Sequence, residues 1–412
     1  MEADDAEEFA EELRLAGLHD RLLSPEDNVL LTPVILAADD MADLSSRLHR
    51  LTVVMQRVLQ NLANDNTPAL LRRLGYPPEA AALLGPLSLP ANLPFGRWDL
   101  LQDAKGWKVL ELNVGGATGG QDDRLMQAIY DRRTTDHPRI PGSTGNSAPF
   151  SALAQLLPES AEGRLVVVDD DDELAASPLS AQFAARSLCA LTGRMPDILP
   201  VSALPMDKVA PFGVFELFTL RDCLARPERY SAYLTATATG TIGSMNPIWN
   251  DLFMNKGLMA LVHEEVAAGR KLESEASLVH ALIPWTALVE ASNLDLILSR
   301  PKEALVLKAA NGYGGKDVHC GWTLSQSIWE KSLIKAVQEA DTFVVQERVI
   351  GQKIPVVGMT PRGDFIETDA APVIGIFCDS ALYAGAFARA SLTGHAIVNA
   401  HNKAAVGVVR LS

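Results

Sequence analysis

The sequence predicts a mixed α/β protein with a helical N-terminal region, a central α/β subdomain, and a strand-rich remainder that carries a glycine-rich loop. Three observations predict it. Leu44, Leu48, Leu51, Met55, Val58 and Leu62 recur with the 3.6-residue period of a helix face. Around Phe95 the pattern changes to short apolar runs broken by turn residues, which read as strands. Arg164-Leu-Val-Val-Val-Asp169 then reads as a buried strand leading into a helical segment that ends near Gly193, a βα unit.

At 412 residues the chain exceeds a single hydrophobic core, so several subdomains are expected. In order, residues 1–90 form the helical region, with Phe9, Leu13, Leu15 and Leu18 on an early helix face. Residues 91–160 begin with Gly96 to Leu101 and Trp107 to Val114 around Gln-Asp-Ala-Lys-Gly, whose Asp103 and Gly106 are turn residues, so a β-hairpin is expected. The Pro-, Gly- and Ser-rich stretch from Asp136 to Pro149 reads as a mobile loop or linker. The α/β subdomain occupies 161–250. Within 251–350, a helix carrying Lys256 precedes strands Leu305–Lys308 and Thr342–Gln346, with a helix from Ser325 to Ala340 between them. The remaining 351–412 alternates apolar runs with turns and reads as more sheet.

The composition excludes several classes. With 48% hydrophobic and 21% charged residues the chain should fold, and a net charge of −15 argues against nucleic acid or an acidic membrane as partner. Cys189, Cys223, Cys320 and Cys378 are scattered without CxxC spacing, so neither a zinc site nor a disulfide framework is expected. The first residues are acidic where a signal peptide would be basic, and no apolar run reaches the ~20 residues that span a bilayer. A cytoplasmic location and no membrane partner are expected, and a homo-oligomer is allowed.

The chemistry concentrates in two segments. In a strand, residues two apart share a face, so Arg97 with Asp99, and Glu111 with Asn113, would each point one way. Two carboxylates and an amide carbonyl are hard oxygen ligands suited to magnesium, and the absence of imidazole and thiolate disfavours zinc. The alternative is a wet sheet face crossed by salt bridges. Gly115-Gly116-Ala-Thr-Gly119-Gly120 favours the functional reading, because glycines after a strand allow a ligand to approach the backbone closely. In the second segment, Lys308 ends a strand and Asn311-Gly312-Tyr-Gly314-Gly315 follows, a loop able to aim amide groups at phosphates or to make a plain turn. It is neither a Walker A loop nor a dinucleotide fingerprint. One helix later, Phe343-Val-Val-Gln346-Glu347 offers hydrogen bonds to the edge of an adenine.

These residues, in this order, resemble the circularly permuted ATP-grasp ligases, among them the synthetase domain of glutathionylspermidine synthase. The likeness rests on Arg97-x-Asp99, Glu111-x-Asn113, Asn255-Lys256-Gly-Leu-Met-Ala-Leu-Val, Lys308 with its loop, Val-Val-Gln346-Glu347, and Pro372-Val-Ile-Gly-Ile followed by Tyr383-Ala-Gly-Ala-Phe-Ala-Arg389. It runs from about residue 95 to the C-terminus. The resemblance implies an ATP-grasp fold in permuted order with a glycine-loop lid. It also implies ATP and magnesium as cofactors, with Asp99, Glu111 and Asn113 as metal ligands and Lys256 and Lys308 on the phosphates. Gly312, Gly314 and Gly315 would lie on the lid, Gln346 and Glu347 at the adenine, Arg389 at a phosphate, and Arg97 at the substrate carboxylate and its acyl phosphate. Ala309-Ala310 follows Lys308 where the family often carries Lys-Pro, and the helical start is too short for a cysteine-dependent amidase, so the activity expected is synthetic only.

The expected function is therefore an ATP-dependent carboxylate-amine ligase that joins small amino-acid-like substrates by an amide or peptide bond. By family analogy, dipeptide or γ-glutamyl-type bonds suit it. A phosphotransferase on the same site and a noncatalytic nucleotide-binding module are the alternatives. His319, His395 and His401 read as surface or loop histidines. The run from Asp169 to Glu173 reads as a solvated strand end and helix start.

Overall fold

The computed structural model describes residues 11, 28–90, 93–118, 127, 130, 164–204, 212–269, 274–312, 317–339, 341–378, 383–398 and 402–412. The expected early helix face, the 136–149 stretch, and Gly119, Gly120, Gly314, Gly315 and His401 lie outside them.

The long helix arrives as expected, spanning Ala38–Arg73, and its Leu44, Leu48, Leu51, Met55 and Val58 are buried. It is broken near its end. Asn66 leaves helical geometry at φ −165° and ψ 89°, and its side chain accepts from the Ala69 amide, while Pro68 lacks the N–H a continuous helix would need. The structure corrects the reading of 1–90 as helical only. Val29–Leu30 and Val34–Leu36 are strands, and both pair in parallel with the distant strand Ala405–Leu411.

Three sheets organise the described residues. The largest has nine strands, with the path Phe365–Ala370, Ile354–Met359, Val29–Leu30, Ala405–Leu411, Tyr383–Ala390, Val373–Cys378, Gly96–Asp103, Gly106–Val114, and Val34–Leu36 joining at Ala405–Leu411. The expected hairpin is thus one end of a sheet assembled from both halves of the chain. Its turn is the expected one: Asp103 accepts from the Lys105 amide at 2.7 Å, and Gly106 has φ +119°.

The second sheet is all parallel, in the order Asp197–Pro200, Leu165–Asp169, Phe212–Glu216, Ile242–Ser244. Leu165, Val166, Val167 and Val168 are buried, the continuous apolar run that a strand covered on both faces requires. The following helix Leu179–Thr192 ends at Gly193 in the left-handed region, as expected. The third sheet is antiparallel, in the order Val318–Cys320, Leu305–Ala309, Phe343–Glu347, Thr286–Leu288. Helix Gln326–Gln338, capped by Ser325, covers it with Trp329, Leu333 and Ala336. Helix Lys256–Ala267 packs between this sheet and the long N-terminal helix.

The acidic run corrects a second expectation. Asp171–Ala176 is a helix and Asp170 caps it, but Asp169 and Asp170 are buried rather than solvated. Arg226, Arg229 and the Tyr230 hydroxyl close on the Asp170 carboxylate at 2.6, 3.0 and 2.6 Å. Burial opposes its ionisation, yet these donors hold it at about 2. Among the described residues no helix is long and apolar enough to cross a membrane.

Candidate active site

The hairpin register places Arg97 opposite Asn113 and Asp99 opposite Glu111, with a bulge directly after Asp99. Two carboxylates facing each other across a strand pair repel, so the arrangement needs cations from elsewhere. Arg97 supplies the first, donating from Nε to Asp99 Oδ1 at 2.8 Å and from Nη2 to Oδ2 at 3.1 Å. It also donates to the Thr118 carbonyl. Arg389 supplies the second, from the strand two places along the sheet, donating from Nη2 to Asp99 Oδ2 at 2.6 Å. The Asn113 amide donates to the same oxygen at 3.3 Å. Asp99 is 2% exposed. Burial opposes its charge, but the Arg389 and Arg97 guanidiniums prevail and keep it ionised down to about 2.

Glu111 has a different partner. It is half-buried, and Lys256 Nζ approaches its Oε2 to 3.3 Å. Lys256 begins helix Lys256–Ala267, where Asn255 accepts from the Gly257 amide as N-cap, and its Nζ donates to the Gly312 carbonyl at 2.8 Å. This brings Gly312 of the glycine-rich loop into the cluster. Lys308 lies on strand Leu305–Ala309 of the antiparallel sheet, and its Nζ donates to Gln346 Oε1 at 2.7 Å. Burial lowers its pKa to about 8, against the pull of Glu111 and with the push of Lys256.

Gln346 and Glu347, expected at an adenine edge, have different surroundings. Gln346 is 3% exposed, its carbonyl receives Lys308, and its amide donates to Thr286 Oγ1 at 3.1 Å. The Glu347 side chain is exposed while its N–H donates to the Trp285 carbonyl at 2.7 Å. Their strand has neighbours on both sides.

The 115–118 turn also departs from expectation. A Cβ on Gly116 would lie 2.2 Å from the Leu217 carbonyl oxygen, and one on Gly115 would lie 1.8 Å from the Asn246 amide nitrogen. These glycines admit the chain's own parallel sheet, at the ends of its strands, rather than an open path for a ligand. His319 is half-buried on its strand and His395 is exposed, and neither joins the cluster. Sequence reasoning missed Asn255 and Asn311 as partners. The helix-start position of Asn255 was the one available signal.

No protein-family model matches the sequence, and no curated protein matches it. Solved structures do. A glutathione synthetase-like effector from Globodera pallida, in its apo form, aligns over 100% of this chain and 98% of its own with a TM-score of 0.65 and 12% identity. The fold is glutathione synthetase-like. A protein provisionally described as a gamma-glutamylcysteine synthetase, from Methylobacillus flagellatus, aligns over 92% of this chain and 87% of its own at a TM-score of 0.36 and 12% identity.

The cluster carries more positive than negative charge. Arg97, Arg389, Lys256 and Lys308 bring four cations against the two carboxylates of Asp99 and Glu111, an excess that suits a polyanion. Among the described residues no group of three or more His, Cys, Asp or Glu stands ready for a metal. Asp99, Glu111 and Asn113 supply two carboxylates and one amide, a sparse oxygen set of the kind magnesium completes with water and phosphate. Asp99 is saturated by three donors, so ligation of a cation there requires exchange with a guanidinium.

Proposed function

We propose that this chain is an ADP-forming carboxylate-amine ligase of the circularly permuted ATP-grasp type, joining small amino-acid-like substrates by an amide or peptide bond through an acyl phosphate. The observation that carries the reading is the convergence of Arg97, Arg389, Lys256 and Lys308, from four separate elements, on one strand-paired carboxylate couple. On this reading the parallel sheet shapes the acceptor pocket and the antiparallel sheet with its glycine-rich loop is the lid.

The reaction brings an anionic carboxylate to an anionic phosphate, so its barrier is largely electrostatic. Magnesium, held by Asp99, Glu111 and Asn113, would neutralise charge on the triphosphate. Lys256 and Lys308 receive phosphate oxygens, and a polyphosphate beside Lys308 would draw its proton back on. Arg97 orients the substrate carboxylate, whose oxygen attacks the γ-phosphorus as ADP departs, and Arg389 contacts a phosphate. Arg97 then holds the acyl phosphate while an amine attacks the acyl carbon, gives up a proton and expels phosphate. Closure of the lid protects the acyl phosphate from water.

The test is release of ADP and phosphate from ATP and magnesium across a panel of amino acids, singly and in pairs, with mass detection of products. The proposal expects release that needs two substrates and a product lighter than their sum by one water. A product that gains phosphate from one substrate would identify a phosphotransferase instead. Tight ATP binding without turnover on any pair would favour a binding module.

A further inference from the structure

The turn that ends the long N-terminal helix reaches into the lysine cluster. The Leu74 carbonyl accepts from Asn255 Nδ2 at 2.8 Å and from Asn311 Nδ2 at 3.3 Å. Asn255 Nδ2 also donates to Asn311 Oδ1 at 2.5 Å, while Asn255 Oδ1 caps the Lys256 helix through the Gly257 amide at 2.8 Å. Backbone bonds close the figure. The Lys256 amide donates to the Ala310 carbonyl at 3.0 Å, and the Ala310 amide to the Thr342 carbonyl at 2.8 Å. Gly75 has φ +79°, and a Cβ there would stand 2.7 Å from Thr342 Oγ1, so the turn is seated directly against the end of the Lys308 sheet.

Lys256 and Lys308 sit on different elements, a helix start and a strand end. Both must point at one triphosphate if the ligase reading holds. Beside the direct backbone bond from Lys256 to Ala310, the side-chain bonds that tie the two elements together are those of Asn255 and Asn311, and both converge on a single main-chain oxygen of the N-terminal region. We propose that Asn255 and Asn311 are positioning residues, which use the Leu74 carbonyl as a shared anchor to set Lys256 and the start of the glycine-rich loop for phosphate binding. Neither asparagine needs to touch the nucleotide. The N-terminal helix thereby becomes part of the phosphate site without contributing a side chain to it. This inference rests on the ligase reading only in taking the two lysines as phosphate contacts.

A positioning role separates from a merely structural one by what is bound. Asn311→Leu keeps the size of the side chain, adds no charge beside the lysines, and removes both the donor to Leu74 and the acceptor for Asn255. Calorimetric titration of the ligand-free protein with ATP, alongside NMR titration with adenosine, would compare the wild type, Asn311→Leu and Gln60→Ala. Gln60 makes the same kind of bond, from its side-chain amide to the Pro90 carbonyl at 3.2 Å, well before Leu74 on the long helix, and serves as the stability control. Loss of one such bond corresponds to about a two- to tenfold change in an equilibrium constant. The expected result is a severalfold drop for ATP with adenosine unchanged, and no change for Gln60→Ala. Equal weakening toward ATP and adenosine, or wild-type ATP affinity in Asn311→Leu, would overturn the proposal. A wild type that binds no ATP would instead sink the ligase reading itself.

Discussion

Asp99 neutralises one buried and one half-buried guanidinium, and that role has a consequence separate from any metal. Asp99→Asn and Glu111→Gln should both abolish amine-dependent ADP release, but they should differ in stability. The first removes the carboxylate to which both Arg97 and Arg389 donate, which costs about 3–5 kcal/mol for a buried pair. The second removes a half-exposed contact with Lys256 worth about 1 kcal/mol or less. Thermal unfolding should therefore show a large fall for Asp99→Asn and little for Glu111→Gln, and equal midpoints would contradict the arrangement. Lys308 gives a second prediction. Its pKa, lowered to about 8 by burial, means that the ligand-free protein loses this charge above pH 8, so ATP affinity should decline there. Gln346→Glu would place a carboxylate at the atom that Lys308 contacts at 2.7 Å, and should move the decline to higher pH in a titration series. The four hairpin residues were legible because the two-residue period of a strand and a marked turn fix their faces. Asn255 and Asn311 were not, because their roles exist only through a carbonyl 181 and 237 positions earlier in the chain.

Among the elements, the 115–118 turn joins the hairpin to the parallel sheet by backbone contact. Gly116→Ala would drive a methyl to 2.2 Å from the Leu217 carbonyl oxygen, and neither backbone can yield without moving a sheet. Overpacking of this kind costs about 1–3 kcal/mol, and displacement of Asn113 would follow. The variant should show a lower unfolding midpoint and reduced ADP release together. Unchanged turnover would mean that the contact does not set the hairpin. The sequence revealed where these glycines lie and suggested closeness to something, but the partner emerged from tertiary packing. Long periodic elements were readable: the Ala38–Arg73 helix, the Leu165–Asp169 strand and the helix starting after Ser325. Val29–Leu30 and Val34–Leu36 were not, since strands of 2 and 3 residues are too short to display a period. Asp170 was misread because its neutralising arginines lie 56 and 59 residues away.

For the whole molecule, buried acids of the parallel-sheet region set the pH dependence of stability. Burial raises Glu216 and Asp251 to about 7 and Asp169 to about 6, from ordinary values of about 4. Groups raised in the folded state contribute stability that is fully present below their unfolded pKa and lost as pH rises through 6 to 7. Asp99 and Asp170, held at about 2, contribute stability above about 4 that is lost as pH falls toward 2. The unfolding midpoint should therefore peak near pH 4–5 and fall toward pH 8, and Glu216→Gln should flatten that fall. A midpoint constant from pH 5 to 8 would argue that these carboxyls are not buried as described. The mixed α/β class of the whole was legible in the alternation of helical and strand patterns, whereas the union of the three sheets was not. Val29 pairs with Val406, and the Asn28 side chain donates to the Lys403 carbonyl across 375 positions. During synthesis the N-terminal strands must wait through nearly all of the intervening chain before their partner exists. The parallel and antiparallel sheets can form meanwhile, but the hairpin of Gly96–Asp103 and Gly106–Val114 gains its finished sheet late, and a stalled chain would expose those edges to the wrong partners.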